Sequence, residues 1–202
     1  KAHLSSIERS QWVIEHYPQT PQVPEALATM AYGYDKLGDK APPRIRYFGA
    51  LAHFKMTQPL YDNFAAITLK QPLKPNLLAK KKAMQAALIA YNQVANIGVA
   101  EFTTAANYQQ AQIYQKLAAD LIASEKPKGL SDLELEQYGI LLEEQAEPLA
   151  NKAIDIYTAN ANLVKQDVYD GFVQKSFTAL AELSPGRYKK SEQIEDAIDE
   201  IY

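Results

Sequence analysis

The sequence predicts an all-α fold, and three observations support that prediction. Glycine and proline number only 8 and 11 among 202 residues, while alanine is abundant, and this composition favours helices. Apolar residues recur three and four positions apart along most of the chain, as they do on one face of a helix. No stretch alternates between apolar and polar residues for long enough to predict a strand.

The composition excludes several classes of protein. Hydrophobic residues make up 47% of the chain and charged residues 22%, which is typical of a globular protein and not of a disordered one. The net charge of -3 gives no reason to expect a nucleic acid as a partner, and no apolar run approaches the roughly 18 residues that predict a membrane span. The chain has no cysteine, which excludes disulfides and thiolate chemistry and fits an extracytoplasmic protein.

Prolines delimit three helices in the first third of the chain. The first helix is predicted over Ser5–His16 and stops at the following Tyr-Pro, because proline cannot continue a helix without losing a backbone donor. The second begins at Pro24 and closes at Gly38 and Asp39. A third follows two consecutive prolines, and its continuation past Pro59 is either a kinked extension or a separate short helix.

Two long helices are predicted after a break over residues 71–76, which contains two prolines. They cover residues 77–96 and 99–124, and only Ile97 and Gly98 separate them. A turn this short makes the two helices antiparallel neighbours, so the sequence predicts a helical hairpin.

A very long helix and a last core helix follow the next loop. Ser131, with a glutamate three residues later, is typical of a capping box that opens a helix running to about residue 165. Pro148 lies inside this helix and should kink it. The last core helix is predicted over residues 168–183, with Asp167 as its N-terminal cap.

The segment PEALATMAYGYDKLGD resembles the first helix of a tetratricopeptide repeat (TPR). In that pattern a small residue faces a bulky one, so that two antiparallel helices approach closely. Ala31 would be the contact point, and the Tyr34 ring would fill the adjoining groove. The residues at the pattern positions are Ala26, Leu27, Met30, Ala31, Tyr34, Gly38 and Asp39.

The TPR resemblance implies antiparallel hairpins stacked as a right-handed superhelix, with irregular long C-terminal helices. Further matches are degenerate and do not follow a 34-residue period: Tyr47 with Ala50, Ala87 with Tyr91, Ala111 with Tyr114, and Ala153 with Tyr157. The chain then divides into a hairpin that ends an upstream repeat array (1–40), a degenerate TPR-like domain (41–190) and an acidic amphipathic tail (191–202). Its start at Lys1 without methionine predicts a fragment or a processed form.

A second resemblance covers roughly residues 44–190 and includes runs such as GVAEFTTAANYQQAQIY and VYDGFVQKSFTALAELSPGRY. These resemble the C-terminal part of large proteobacterial periplasmic TPR proteins, which are found alongside systems of the TonB, ExbB and ExbD type. The resemblance implies a periplasmic scaffold, with the cytoplasm as the alternative compartment. Its protein partners would be envelope energy-transduction or outer-membrane components.

The TPR template also implies which residues face a binding groove: Glu25, Ala28, Tyr32 and Asp35. Tyr32 is the best single candidate for contact with a partner, since tyrosine combines large area, low entropy cost and a polar tip. No catalytic motif is present. The sequence therefore predicts a non-catalytic protein–protein interaction scaffold with no cofactor and no metal.

The main alternative is a helical small-ligand or metal-binding protein, or an enzyme, that uses three carboxylates. Glu143, Glu144 and Glu147 share one side of a helix and could hold a cation or supply an acid and a base. An exposed helix face explains the same spacing and is the favoured interpretation. The three histidines, His3, His16 and His53, lack the motifs of helical metal sites and are interpreted as ordinary structural residues.

The basic run Lys80, Lys81 and Lys82, with Lys70 and Lys74 nearby, is the only concentration of positive charge. The favoured interpretation is the solvated side of a helix. Contact with an acidic partner or with lipid headgroups is the alternative.

The C-terminal segment SEQIEDAIDEIY is acidic and carries Ile194, Ile198 and Ile201 on one side of a helical pattern. A helix this short is marginal in water by itself. The sequence predicts that it docks on an apolar groove of this molecule, of a neighbouring copy or of another protein. Docking on a copy would make the chain a structural self-assembly module, and therefore a homo-oligomer.

Overall fold

The computed structural model describes residues 2–189, and over this range the chain consists of α-helices, short 3₁₀ segments and turns, without a strand. The all-α prediction is confirmed for these residues. The tail over 191–202 lies outside the described residues, so its docking stays a prediction. The helices are α1 Ala2–His16, α2 Val23–Leu37, α3 Pro43–Ala66, α4 Leu73–Asn96, α5 Ala100–Ile122, α6 Asp132–Ala161, α7 Gly171–Leu183 and α8 Pro185–Tyr188.

Proline positions explain most of the boundaries in the first half. Helix α1 ends directly before the predicted Tyr-Pro, and α3 is one helix with Pro59 inside it. The predicted break over 71–76 is wrong in its second part, because α4 already begins at Leu73. Pro75 lies in the first turn of that helix, where a backbone N–H would have no helical partner and its loss costs little.

The ends of α6 and α7 show both a confirmed and a wrong capping prediction. Helix α6 opens with the predicted capping box at Ser131 and passes through Pro148 before it ends at Ala161. Asp167 does not cap α7. It has a left-handed backbone with φ 60°, whereas Asp170 accepts hydrogen bonds from two backbone N–H groups of the first turn, each at 2.9 Å.

The helices pack in chain order, each against the next, from α1 to α8. Over residues 2–189, smaller contacts also join alternate helices, mainly odd-numbered ones: α1 with α3, α3 with α5, and α5 with α7. Three clusters of buried apolar residues fill the stack, and α3, α5 and α6 each contribute to two of them. Among these described helices, none is both long enough and apolar enough to cross a bilayer.

Lys80 is completely buried, which corrects the interpretation of the lysine run as a solvated face. Its Nζ donates to the backbone oxygens of Phe64 at 3.0 Å and Ile67 at 2.7 Å. These carbonyls belong to the C-terminal end of α3, where unpaired carbonyls favour a cation. Lys81 and Lys82 are exposed, as expected.

Asp120 on α5 completes the junction around Lys80. Its Oδ2 lies 2.8 Å from Lys80 Nζ, and its Oδ1 lies 3.2 Å from Lys116 Nζ. The buried ammonium therefore has two carbonyl acceptors and a carboxylate, which offset the loss of its hydration. The junction fixes α3, α4 and α5 relative to one another.

Replacing Lys80 tests the energetic weight of this junction. We expect Lys80→Ala to lower the free energy of unfolding by about 3 kcal/mol, because it leaves two buried carbonyls and Asp120 Oδ2 without the ammonium, while Lys116 still pairs with Oδ1. Urea unfolding followed by circular dichroism measures the change. Lys81→Ala, at the neighbouring exposed position, is the matched control and should stay within about 0.5 kcal/mol of the wild type. Equal losses in the two variants would contradict the role assigned to Lys80.

The capping box of α6 makes a prediction about ionisation. Hydrogen bonds from the backbone N–H and then from the hydroxyl of Ser131 hold the pKa of the Glu134 carboxyl below its usual value. Since the folded pKa is lowered, the stabilisation is present above the unfolded pKa and is lost as pH falls through the folded pKa. We expect Ser131→Ala to raise the pKa of Glu134 part of the way back, because only the hydroxyl is removed. Carboxyl ¹³C NMR measures it, and an unchanged pKa would exclude the hydroxyl contribution.

Candidate protein-binding site

The four residues predicted to face a groove lie together on the exposed face of α2. Glu25, Ala28, Tyr32 and Asp35 are all exposed, and their spacing places them along one side of the helix. The opposite side of α2 is buried against α1 and α3. The local pattern of the sequence therefore produces one continuous accessible strip, which we call the α2 strip.

Tyr32 is the largest accessible side chain of the α2 strip, with 56% of its surface exposed. Lys36 Nζ lies 5.1 Å from the centre of the Tyr32 ring, and the His3 ring meets it edge-on at 6.3 Å. These neighbours restrict the ring and leave more than half of it available. An accessible, partly ordered aromatic ring loses little conformational entropy when a protein covers it.

Asp35 connects the α2 strip to α3. Its Oδ1 lies 3.0 Å from His53 Nε2, and the Asp35 side chain is 57% exposed against 22% for His53. Sequence reasoning treated His53 as an ordinary histidine and did not identify this pair. The two residues are 18 positions apart on different helices, so only the packing of α2 on α3 brings them together.

A cleft of about 440 Å³ adjoins the Asp35–His53 pair. The cleft lies between the ends of α2 and α4, with α3 contributing His53, and its volume is that of a small-ligand site. Its lining is rich in hydrogen-bonding groups: a phenol, a carboxylate, an imidazole and two carboxamides. The lining residues are Tyr34, Asp35, His53, Gln93, Asn96 and Ile97.

Tyr34 takes its position in the cleft from a close approach of α2 to α3. Its ring packs directly on Gly49, and a Cβ atom at that position would overlap the ring. Partial burial raises the pKa of the Tyr34 phenol; the Arg46 guanidinium opposes this shift, while Asp39 and Asp35 add to it. Because the phenol stays neutral, it can both donate and accept a hydrogen bond at the cleft.

The other candidates from the sequence do not gather into a site. Glu143, Glu144 and Glu147 are exposed on α6, as expected for a solvated face. In residues 2–189 no group of three or more histidine, aspartate or glutamate side chains is arranged to hold a metal ion. The ring of His16 stacks on Trp12 at 4.6 Å, and its Nδ1 lies 2.9 Å from the Trp12 backbone oxygen.

Comparison of the chain with protein-family models, with curated proteins and with solved structures finds no match. No activity, ligand or partner can therefore be transferred from a relative. The residues of the α2 strip and of the adjoining cleft are the basis for a functional proposal.

Two glycine substitutions test whether Gly49 positions Tyr34. Gly49→Ala should lower the free energy of unfolding by about 1–3 kcal/mol, because the new methyl group collides with the ring that holds α2 against α3. Gly139→Ala is the control. A Cβ there meets nothing within 4 Å, and removing a glycine from a helix should add about 0.5–1 kcal/mol. Chemical denaturation measures both, and equal effects at the two positions would contradict the close approach.

Proposed function

We propose that this chain is a TPR-like scaffold that binds another protein through the α2 strip. The observation that carries the proposal is the accessible Tyr32 ring between Glu25 and Asp35, on a helix whose other side is fully used in packing. Interfaces concentrate binding energy in such aromatic side chains, while charges around them select the partner and speed association. No catalytic step enters the proposal.

The packing of the helices supports the TPR-like part of the proposal. Successive helices pack against each other, and the odd-numbered helices also contact one another along the stack. Such a stack has two layers, and local contacts between neighbouring hairpins supply its stability. The Tyr34 ring packs on Gly49, so a large residue faces a small one where α2 meets α3, which is the kind of close helix contact that the TPR template needs. The right-handed superhelix belongs to the proposal.

The proposed compartment is the bacterial periplasm, and the proposed partner is an envelope protein. This part is supported by the resemblance of residues 44–190 to periplasmic TPR proteins and by the absence of cysteine. The partner would present an apolar or aromatic contact to Tyr32 and a complementary charge to the two carboxylates of the α2 strip.

The α2 strip can be tested by site-specific crosslinking. A photoreactive phenylalanine analogue in place of Tyr32 should give a crosslinked protein adduct in cells. The same analogue in place of Tyr169, which is 62% exposed outside the strip, should not give that adduct. The adduct identifies the partner, which can then be purified and its affinity measured by calorimetry.

The decisive comparison uses that purified partner. Tyr32→Ala should weaken binding by about tenfold or more, because it removes the central aromatic contact. Tyr169→Ala should bind as the wild type does. Both substitutions are at exposed positions, and melting curves should confirm that both variants fold. If the partner binds Tyr32→Ala as tightly as the wild type, the α2 strip is not its binding surface.

A further inference from the structure

Two helix C-termini meet at the cleft beside the α2 strip. Helix α2 ends at Leu37, and its last turn supplies Tyr34 and Asp35 to the cleft. Helix α4 ends at Asn96, and its last turn supplies Gln93 and Asn96. The C-terminal end of a helix carries about half a negative charge, and the Asp35 carboxylate adds a full one.

Within residues 2–189, the positive side chains near this cleft do not line it. Lys36 places its Nζ 5.1 Å from the Tyr32 ring centre, on the α2 strip. Arg46 donates from Nη2 to the Asp39 backbone oxygen at 3.3 Å. The residues that do line the cleft include one basic group, the imidazole of His53, which faces Asp35 Oδ1. The Arg46 guanidinium acts on the Tyr34 phenol from outside the lining. The lining itself is rich in acceptors and poor in cations.

The Lys80 junction shows how this fold treats an equivalent arrangement. There the C-terminal end of α3 meets the last turn of α5, which carries the Asp120 carboxylate. The protein neutralises the site with a buried ammonium, 2.8 Å from Asp120 Oδ2. The cleft repeats the combination of two helix C-termini and a last-turn carboxylate, but with no lysine or arginine among its lining residues.

Several acceptors of the cleft remain available. Of the Asp35 carboxylate, Oδ1 faces His53, and no described residue donates to Oδ2. The side-chain amides of Gln93 and Asn96 likewise have no hydrogen-bond partner among the described residues, and both side chains are exposed. These oxygens and the Tyr34 hydroxyl come from two different helices. A group with several donors in a fixed planar fork can reach more of them than a single ammonium can.

We infer that this cleft binds an arginine side chain of the partner protein, with the guanidinium donating to Asp35 and to the carboxamide oxygens of Gln93 and Asn96. The inference rests on the proposed function, because Asp35 belongs to both the cleft and the α2 strip. It specifies the partner further: an arginine must lie close to the residue that covers Tyr32.

Small probes test the cleft without the partner. N-acetyl-arginine amide should shift the backbone NMR signals of Asp35, His53, Gln93 and Asn96. N-acetyl-lysine amide should bind more weakly. N-acetyl-citrulline amide, which has nearly the same shape and no charge, should give no shifts there. Equal shifts from the arginine and citrulline probes would overturn the inference, and stronger binding of the lysine probe would overturn the choice of a guanidinium.

A matched pair of variants tests the role of the carboxylate. Asp35→Asn keeps the size of the side chain and should weaken binding of the arginine probe by about tenfold or more, since a charge-assisted hydrogen bond is lost. Asp155→Asn removes the same charge from an exposed position on α6 and should leave the probe affinity unchanged. An unchanged affinity in Asp35→Asn would overturn the inference.

The purified partner separates failure of this inference from failure of the proposed function. If Tyr32→Ala weakens partner binding but Asp35→Asn does not, the α2 strip is supported as the binding surface and the arginine inference is wrong. If the arginine probe binds as expected while Tyr32→Ala leaves the partner bound, the cleft is supported as a guanidinium site. In that case the α2 strip is not the partner-binding surface.

Discussion

Among residues 2–189, Lys80 is the one charged side chain that folding removes entirely from water, and the packing of three helices depends on it. Lys80 belongs to α4, and its ammonium lies between the C-terminal end of α3 and the last turn of α5. A buried charge of this kind contributes less to net stability than to geometry, because its partners must lie at fixed distances and directions. The same corner is reinforced by the connecting loops: Glu125 N donates to Leu69 O at 3.0 Å, and Gln71 Nε2 donates to Glu125 O at 2.7 Å.

Buried polar contacts also fix the relative positions of α5, α6 and α7, at the other end of the stack. Buried alanines of α5 and α6 pack against each other there. Asn160 is fully buried and donates from Nδ2 to Thr104 O at 3.1 Å and to Ser176 Oγ at 3.0 Å. Tyr157, also buried, donates its hydroxyl to Gln115 Oε1 at 2.8 Å. Alanines bring the helix axes close but do little to select a register, since their side chains are small and alike. The buried amide and phenol select it, because any shift would leave them without partners.

Most helix boundaries could be predicted because they depend on contacts between residues close in sequence. The candidate site could not be predicted in full, because it depends on contacts between residues far apart in sequence. The ends of α1 and α2 and the capping box of α6 depend on residues within one turn of each other. Whether Asp170 or Asp167 caps the N-terminus of α7 depends on where α7 can begin when it packs against α5 and α6. The residues adjacent to the cap do not reveal that position. The burial of Lys80 did leave a signal in the sequence: it is in phase with Ala83, Met84 and Ala87, the buried face of α4. The pairing of Asp35 with His53 left none, because it joins two helices whose relative rotation is set by the Tyr34 and Gly49 contact.

The first third of α6 is weakly buried, and it should therefore open more easily than the rest of the fold. Helix α6 is 30 residues long, and its first buried residue is Leu142, so residues 132–141 extend for about 15 Å with no fully buried side chain. Leu133, Ile140 and Leu141 are exposed on this segment. An isolated helix of that length is marginal in water, so this segment depends on the capping box of Ser131 and Glu134 and on the half-buried Leu135 and Tyr138. The amides of this segment should therefore exchange with solvent through fraying from its N-terminus, at a free-energy cost well below that of global unfolding.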